Sequence, residues 1–123
     1  MSDLRFQRTE LLIKEEGIKK LQGSKVLVFG LGGVGSYVVE ALVRGGVGSI
    51  GIRDMDTVNI TNINRQLIAL TSTIGKTKVE VTKQRILDIN PSLEVEEFPF
   101  LLDEETINKI DFTKYDYIVD AID

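Results

Sequence analysis

The 123-residue chain carries 15 Lys and Arg against 19 Asp and Glu, a net charge of −4, so it lacks the basic footprint of a nucleic-acid-binding domain. Its 42% hydrophobic content is enough for a core, which excludes a disordered chain. It contains no Cys and no His, which removes disulfides, thiolate nucleophiles, Cys/His zinc sites and histidine base catalysis. The length suits one domain or part of one. The longest apolar run, Val26 to Val34, is broken by glycines and falls far short of the ~20 residues of a spanning helix. Met1 to Arg5 carries no apolar leader segment. The expected location is the cytoplasm, with no membrane contact.

In chain order, Gln7 to Gln22 is predicted helical, with Leu11, Leu12, Ile18 and Leu21 on one face and Gly17 as a weak point. Lys25 to Phe29 is a nearly continuous apolar run, suited to a central parallel strand buried on both faces. The segment Gly30 to Ser36 follows, and a helix from there runs to about Arg44, stopped by Gly45-Gly46. Ser49 to Arg53 is a second strand, ending in Asp54-Met55-Asp56. A polar stretch from Thr57 to Gln66 precedes an amphipathic helix from about Lys76 to Ile89, closed by Asn90-Pro91. Leu93 to Phe98 is a third strand, and Pro99 marks an end or an edge. Asp103 is placed to cap a short helix, Glu104 to Ile110. Tyr117 to Ile122 is a fourth strand with Asp123 at its C-terminal end. Alternating strands and helices predict an α/β fold, a Rossmann-like parallel sheet with flanking helices. Ligands of such sheets bind at the C-terminal ends of the strands. The sequence stops there, so residues 1–123 read as the truncated N-terminal part of a larger domain.

Three signals carry chemistry. Gly30-x-Gly32-Gly33-x-Gly35 follows a strand and opens a helix, the context in which backbone N–H groups and a helix N-terminus receive a phosphate. Asp54, about 20 residues further on, stands where a carboxylate accepts bonds from ribose hydroxyls, with Asp56 beside it. A tight strand-to-helix turn and a surface turn would explain these residues without a ligand. The two signals together also suit an NAD-dependent oxidoreductase. The third signal is Thr57 to Gln66, dense in amides and hydroxyls and containing Asn62 and Arg65, followed by Lys78. Two cations converging on a glycine loop suit a triphosphate better than a nicotinamide pyrophosphate. Asp123 offers a carboxylate for Mg²⁺, a hard ion that favours carboxylate and phosphate oxygens.

The series Gly30 to Ser36, Asp54-Met55-Asp56, Thr61-Asn62-Ile63-Asn64-Arg65-Gln66, Gly75-x-x-Lys78, Ile89-Asn90-Pro91 and Asp120 to Asp123 resembles the ThiF/MoeB/HesA family of the ubiquitin-activating-enzyme superfamily. The resemblance implies an ATP-binding domain that adenylates a carboxylate and releases pyrophosphate. It implies that Gly33 packs against the nucleotide, Asp54 holds the ribose, and Asn62, Arg65 and Lys78 contact the phosphates. It further implies that Asp123 binds Mg²⁺ and that Arg8 reaches across a homodimer into the partner's site as an arginine finger. Within the family, Thr61 to Gln66 followed by Ala69-Leu70, and Arg5-Phe6-Gln7-Arg8-Thr9, are most similar to the tRNA threonylcarbamoyladenosine dehydratase branch. That branch activates the threonylcarbamoyl carboxylate on tRNA, which cyclises with loss of water. Alternatives are adenylation of the C-terminal glycine of a small ubiquitin-like sulfur-carrier protein, and a nucleotide-sensing module without catalysis.

Overall fold

A computed structural model describes residues 3–123. After a single 3₁₀ turn, Leu4–Phe6, the elements are α1 (Gln7–Gln22), β1 (Lys25–Phe29), α2 (Gly35–Gly45), β2 (Ser49–Arg53), α3 (Lys78–Ile89), β3 (Glu94–Phe98) and β4 (Tyr117–Asp120). Further 3₁₀ turns cover Ile60–Asn62, Thr106–Lys109 and Phe112–Lys114. The strands form one parallel sheet in the order β3-β2-β1-β4. β1 is therefore central, as its unbroken apolar run predicts, and Val26 to Phe29 are all buried. β3, which runs into Pro99, is an edge.

Alternation along the strands divides the core in two. Val26, Val28, Ile50 and Ile52 pack with Val39, Val43, Val79 and Ile86 from the helices. Leu27 and Phe29 pack on the other face with Phe98 and Ile110, flanked by Phe100, Leu102, Phe112 and Tyr115. On the helical face, α2 is closed by Gly46, whose φ of 107° is left-handed and whose N–H bonds Leu42 and Val43 carbonyls. Thr77 caps α3, its hydroxyl accepting from Glu80 N–H.

Four expectations are corrected. Leu11 and Leu12 are 82% and 85% exposed rather than on a buried face; of the four residues assigned to that face only Ile18 is buried. The reason is a break at Lys14, with φ 64° and ψ 175°, which rotates the first turns of α1 away from the direction set by the rest. The break falls three residues before Gly17, the position expected to be weak. α3 begins at Lys78 rather than Lys76, because Thr77 is extended and serves as the cap. β4 ends at Asp120, leaving Ala121 to Asp123 as a tail beyond the sheet. The helix expected at Glu104 to Ile110 is only the 3₁₀ turn Thr106–Lys109. Asp103 does accept from the Glu105 and Thr106 amides at 2.9 Å, but this closes a turn too short to propagate.

Candidate functional site

β1 delivers the chain to Gly30, whose N–H bonds Arg53 carbonyl at 2.9 Å and whose φ is +90°. A side chain at Gly30 would lie 2.6 Å from Ala121 carbonyl oxygen, and one at Gly35 would lie 1.6 Å from Gly30 carbonyl oxygen. The loop therefore folds onto itself and onto the tail of β4 more tightly than any Cβ permits. Ser36 locks it from the helix side: its hydroxyl donates to Gly32 carbonyl at 2.6 Å and accepts from Leu67 N–H at 3.2 Å. That pair of bonds ties the polar segment to the glycine loop.

Asp54 locks it from β2. One carboxylate oxygen accepts from Leu31 N–H at 2.9 Å and the other from Asp56 N–H at 2.8 Å. The residue is 8% exposed, whereas Asp56 is exposed. Asp54 thus fixes the relation between the glycine loop and the end of β2, and Asp56 offers the freer carboxylate. Lys78 opens α3 and is 6% exposed; its N–H bonds Asp56 carbonyl at 3.0 Å.

These parts enclose a cleft of about 290 Å³ at the C-terminal edge of the sheet. Six of the sequence-predicted residues line it: Gly30, Gly32, Asp54, Asp56, Lys78 and Asp123. Gly33 and Gly35 belong to the supporting loop, and the Arg65 stem stands 3.6 Å from where a Gly33 Cβ would be. Arg65 is exposed and donates to Thr61 carbonyl at 3.1 Å and to Asn64 at 2.9 Å. Asn62 accepts from Asn59 N–H at 2.9 Å in a capping box. Neither Asn62 nor Arg65 lines the cleft, and only Arg65 lies against the glycine loop. Arg8 is exposed on α1 and is not brought to the cleft of its own protomer.

Two polar lining residues were given no role from the sequence: Arg53 and Gln66, each 6% exposed. Gln66 Oε1 is buried with no hydrogen-bond partner among the described residues. The signal for Arg53 was available, since it is the one charged residue of the strand Ser49 to Arg53 and stands at its C-terminal end. A larger hollow of about 440 Å³ lies between Arg5, Arg44 and Arg85. Its guanidinium groups are occupied by Ile89 carbonyl and Glu40, so it offers little to a ligand.

For Mg²⁺, the donor set fits an ion brought by phosphates. An Asp123 carboxylate oxygen stands 3.7 Å from where a Gly32 Cβ would be, above the loop. No group of three acids suited to a metal occurs among the described residues. One or two carboxylates plus phosphate oxygens and water is the usual Mg²⁺ arrangement in nucleotide sites.

A parallel α/β sheet with a glycine loop, a loop-locking acid and a buried lysine at its C-terminal edge is a Rossmann-like arrangement, in which ligands bind outside the C-terminal ends of the strands. Residues 6–123 match the ThiF family, and the chain belongs to it. It is 50% identical over 118 residues to a tRNA threonylcarbamoyladenosine dehydratase of Bacillus subtilis, covering 96% of this chain and 46% of that protein. It is 36% identical over 121 residues to a sulfur carrier protein adenylyltransferase of Thermus thermophilus, covering 97% of this chain and 44% of that protein. The crystal structure of E. coli tRNA N6-threonylcarbamoyladenosine dehydratase, TcdA, in complex with ATP superposes with a TM-score of 0.92 at 39% identity. That match covers 97% of this chain and 49% of the other. The chain thus spans about half the length of these relatives.

Proposed function

We propose that this chain is the nucleotide-binding half of an ATP-dependent enzyme that adenylates the threonylcarbamoyl carboxylate of modified adenosine in tRNA. The observation that carries the reading is the cleft itself. Buried Lys78, the glycine loop opening α2 and the Asp123 carboxylate face one space. The similarity to an ATP-bound dehydratase supports the choice of ATP over a dinucleotide.

The phosphates rest on the amides of the glycine loop and the N-terminus of α2. Asp54 and Asp56 stand on the ribose side. A substrate carboxylate oxygen attacks the α-phosphorus, the bond to the β-phosphate bridging oxygen breaks, and pyrophosphate leaves with that electron pair. Lys78 and Arg65 offset the charge that builds on the departing oxygens. Asp123, with phosphate oxygens, would hold Mg²⁺, which supplies further charge neutralisation when bound. An atom of the same threonylcarbamoyl group then attacks the activated carbonyl, the C–O bond to the phosphate breaks and AMP leaves carrying that oxygen, so the side chain has lost the elements of water overall. No nucleophile from this chain is required, in keeping with its lack of Cys and His.

Arg8 acts in trans in a homodimer on this reading. Its exposure on α1, beside the exposed Leu11 and Leu12, supports that placement. Mixing Arg8→Ala and Lys78→Ala proteins, each inactive alone, restores part of the activity if subunits share sites; confirmed heterodimers without activity would refute it.

The test is ATP–pyrophosphate exchange by the intact protein, with threonylcarbamoyl-modified tRNA or a small carrier protein as acceptor. Exchange that needs the tRNA, and that falls about 100-fold or more in Lys78→Ala, is the expected result. The second reading, activation of a carrier's C-terminal glycine, is favoured by the 36% identity to the Thermus adenylyltransferase. Exchange that needs only the carrier would establish it. Tighter binding of NAD than of ATP would reject both.

A further inference from the structure

Arg53 is a buried cation. Its Nε donates to Phe100 carbonyl at 2.8 Å. Among the described residues no carboxylate forms an ion pair with it. A guanidinium has five N–H donors, and one carbonyl satisfies one of them. Burying a charge so incompletely paired is costly unless something else meets it. Arg53 lines the cleft, and its terminal nitrogens are not among the buried atoms left without a partner, so they reach solvent there and are open to a ligand.

The sheet says which part of the ligand. Register places Arg53 beside Phe29 and Phe98, on the aromatic face. The N-terminus of α2 and Lys78 lie on the helical side, where Val39, Val43 and Val79 pack. A nucleotide with phosphates on α2 and ribose at Asp54 therefore crosses the edge of the sheet. Its base arrives at the end walled by Arg53, Leu101 and Leu102. A planar guanidinium stacks on aromatic rings far better than an ammonium does.

We propose that Arg53 recognises the purine base of the nucleotide, its guanidinium stacking on the ring while Nε holds the Phe100 segment in place as the wall. This rests on the ATP reading above. It makes Arg53 a specificity residue of the same site, distinct from the groups that meet the phosphates.

The experiment is calorimetric titration of the intact protein with ATP, CTP and inorganic tripolyphosphate, alongside thermal melting of the ligand-free protein. Wild type is expected to bind ATP more tightly than CTP. Arg53→Met, which keeps the stem, should weaken ATP binding about 5- to 30-fold and leave tripolyphosphate binding unchanged. Arg53→Lys keeps the charge but not the plane, and should also weaken ATP selectively, by about 5-fold. Equal losses for all three ligands would mean that Arg53 only braces the wall or supplies general charge, and would overturn the proposal. So would unchanged ATP affinity in both variants. Failure of the wild type to bind ATP overturns the ATP reading as well; ATP binding with no selective loss overturns Arg53 alone.

Discussion

On one face of the sheet, Val26, Val28, Ile50 and Ile52 meet two helices; on the other, Leu27 and Phe29 meet single turns carrying Ile110, Phe112 and Tyr115. The helical face is built from aliphatic side chains of the two long amphipathic elements α2 and α3. The aromatic face relies on large rings laid over small residues. Tyr115 fits because β2 has glycine beneath it: a Cβ on Gly51 would lie 2.5 Å from the phenol oxygen, which donates to Glu96 at 3.0 Å. Burial there raises the Tyr115 pKa. The two faces also serve the cleft differently. The helical side contributes the rigid phosphate cradle and Lys78, and the aromatic side contributes Arg53 and the 100–102 wall.

The largest expected effect breaks the junction on which both faces depend. Gly35→Ala would place a methyl group 1.6 Å from Gly30 carbonyl oxygen. Backbone must move to admit it, which separates β1 from α2. A loss of about 3 kcal/mol or more in urea unfolding is expected, with loss of nucleotide binding. A variant of wild-type stability would mean that the loop is not as close-packed as described.

The second prediction sets the faces against each other. Ile52 is fully buried on the helical side, and Phe112 is half-buried on the aromatic side. Ile52→Ala should cost about 3 kcal/mol, in the range for deleting a buried aliphatic side chain. Phe112→Ala removes more volume, yet its neighbours are short turns that can close over the gap, so about 1–2 kcal/mol is expected. Equal costs in urea titrations would show that the aromatic face is as firmly packed as the helical one.

The same contrast explains what the sequence disclosed. β1 was legible because a run with no alternating polar residue has only one comfortable place in a parallel sheet. The glycine loop, Asp54, Asp56, Lys78 and Asp123 were legible because their chemistry depends on position relative to strand ends. Short elements were not: Asp103 closes the turn that leads into Thr106–Lys109, yet a few residues do not repay helix nucleation. Leu11 and Leu12 matched a helical face in spacing, but the break at Lys14 is a backbone event that spacing does not encode. Asn62 and Arg65 were expected at the phosphates, yet neither lines the cleft, and their local bonds run to Asn59 and Asn64. Arg53 and Gln66 acquire meaning only from partners distant in sequence, Phe100 for one and the glycine loop for the other.

The smallest effect tests a polar clasp between the two helices of the helical face. Glu40 on α2 accepts from Arg85 of α3 at 2.7 and 2.9 Å and from Arg44 at 2.8 Å. The Arg85 hydrogen bonds, with a smaller contribution from Arg44, hold its carboxyl below the usual value of 4.5. A carboxyl whose folded-state pKa is lowered stabilises the fold above its unfolded value, and that contribution disappears as pH falls through the folded value. Glu40→Gln should therefore cost about 1 kcal/mol at pH 7, since the pair is only partly shielded from water. The gap between wild type and variant should narrow as pH drops below 4.5 and then close. Asp103 and Asp111 in the turns of the aromatic side are also lowered, by bonds from Thr106 and Thr113, but they titrate alike in both proteins and cancel in the difference. A gap that persists unchanged in acid would assign the effect of Glu40 to packing between α2 and α3 rather than to its charge.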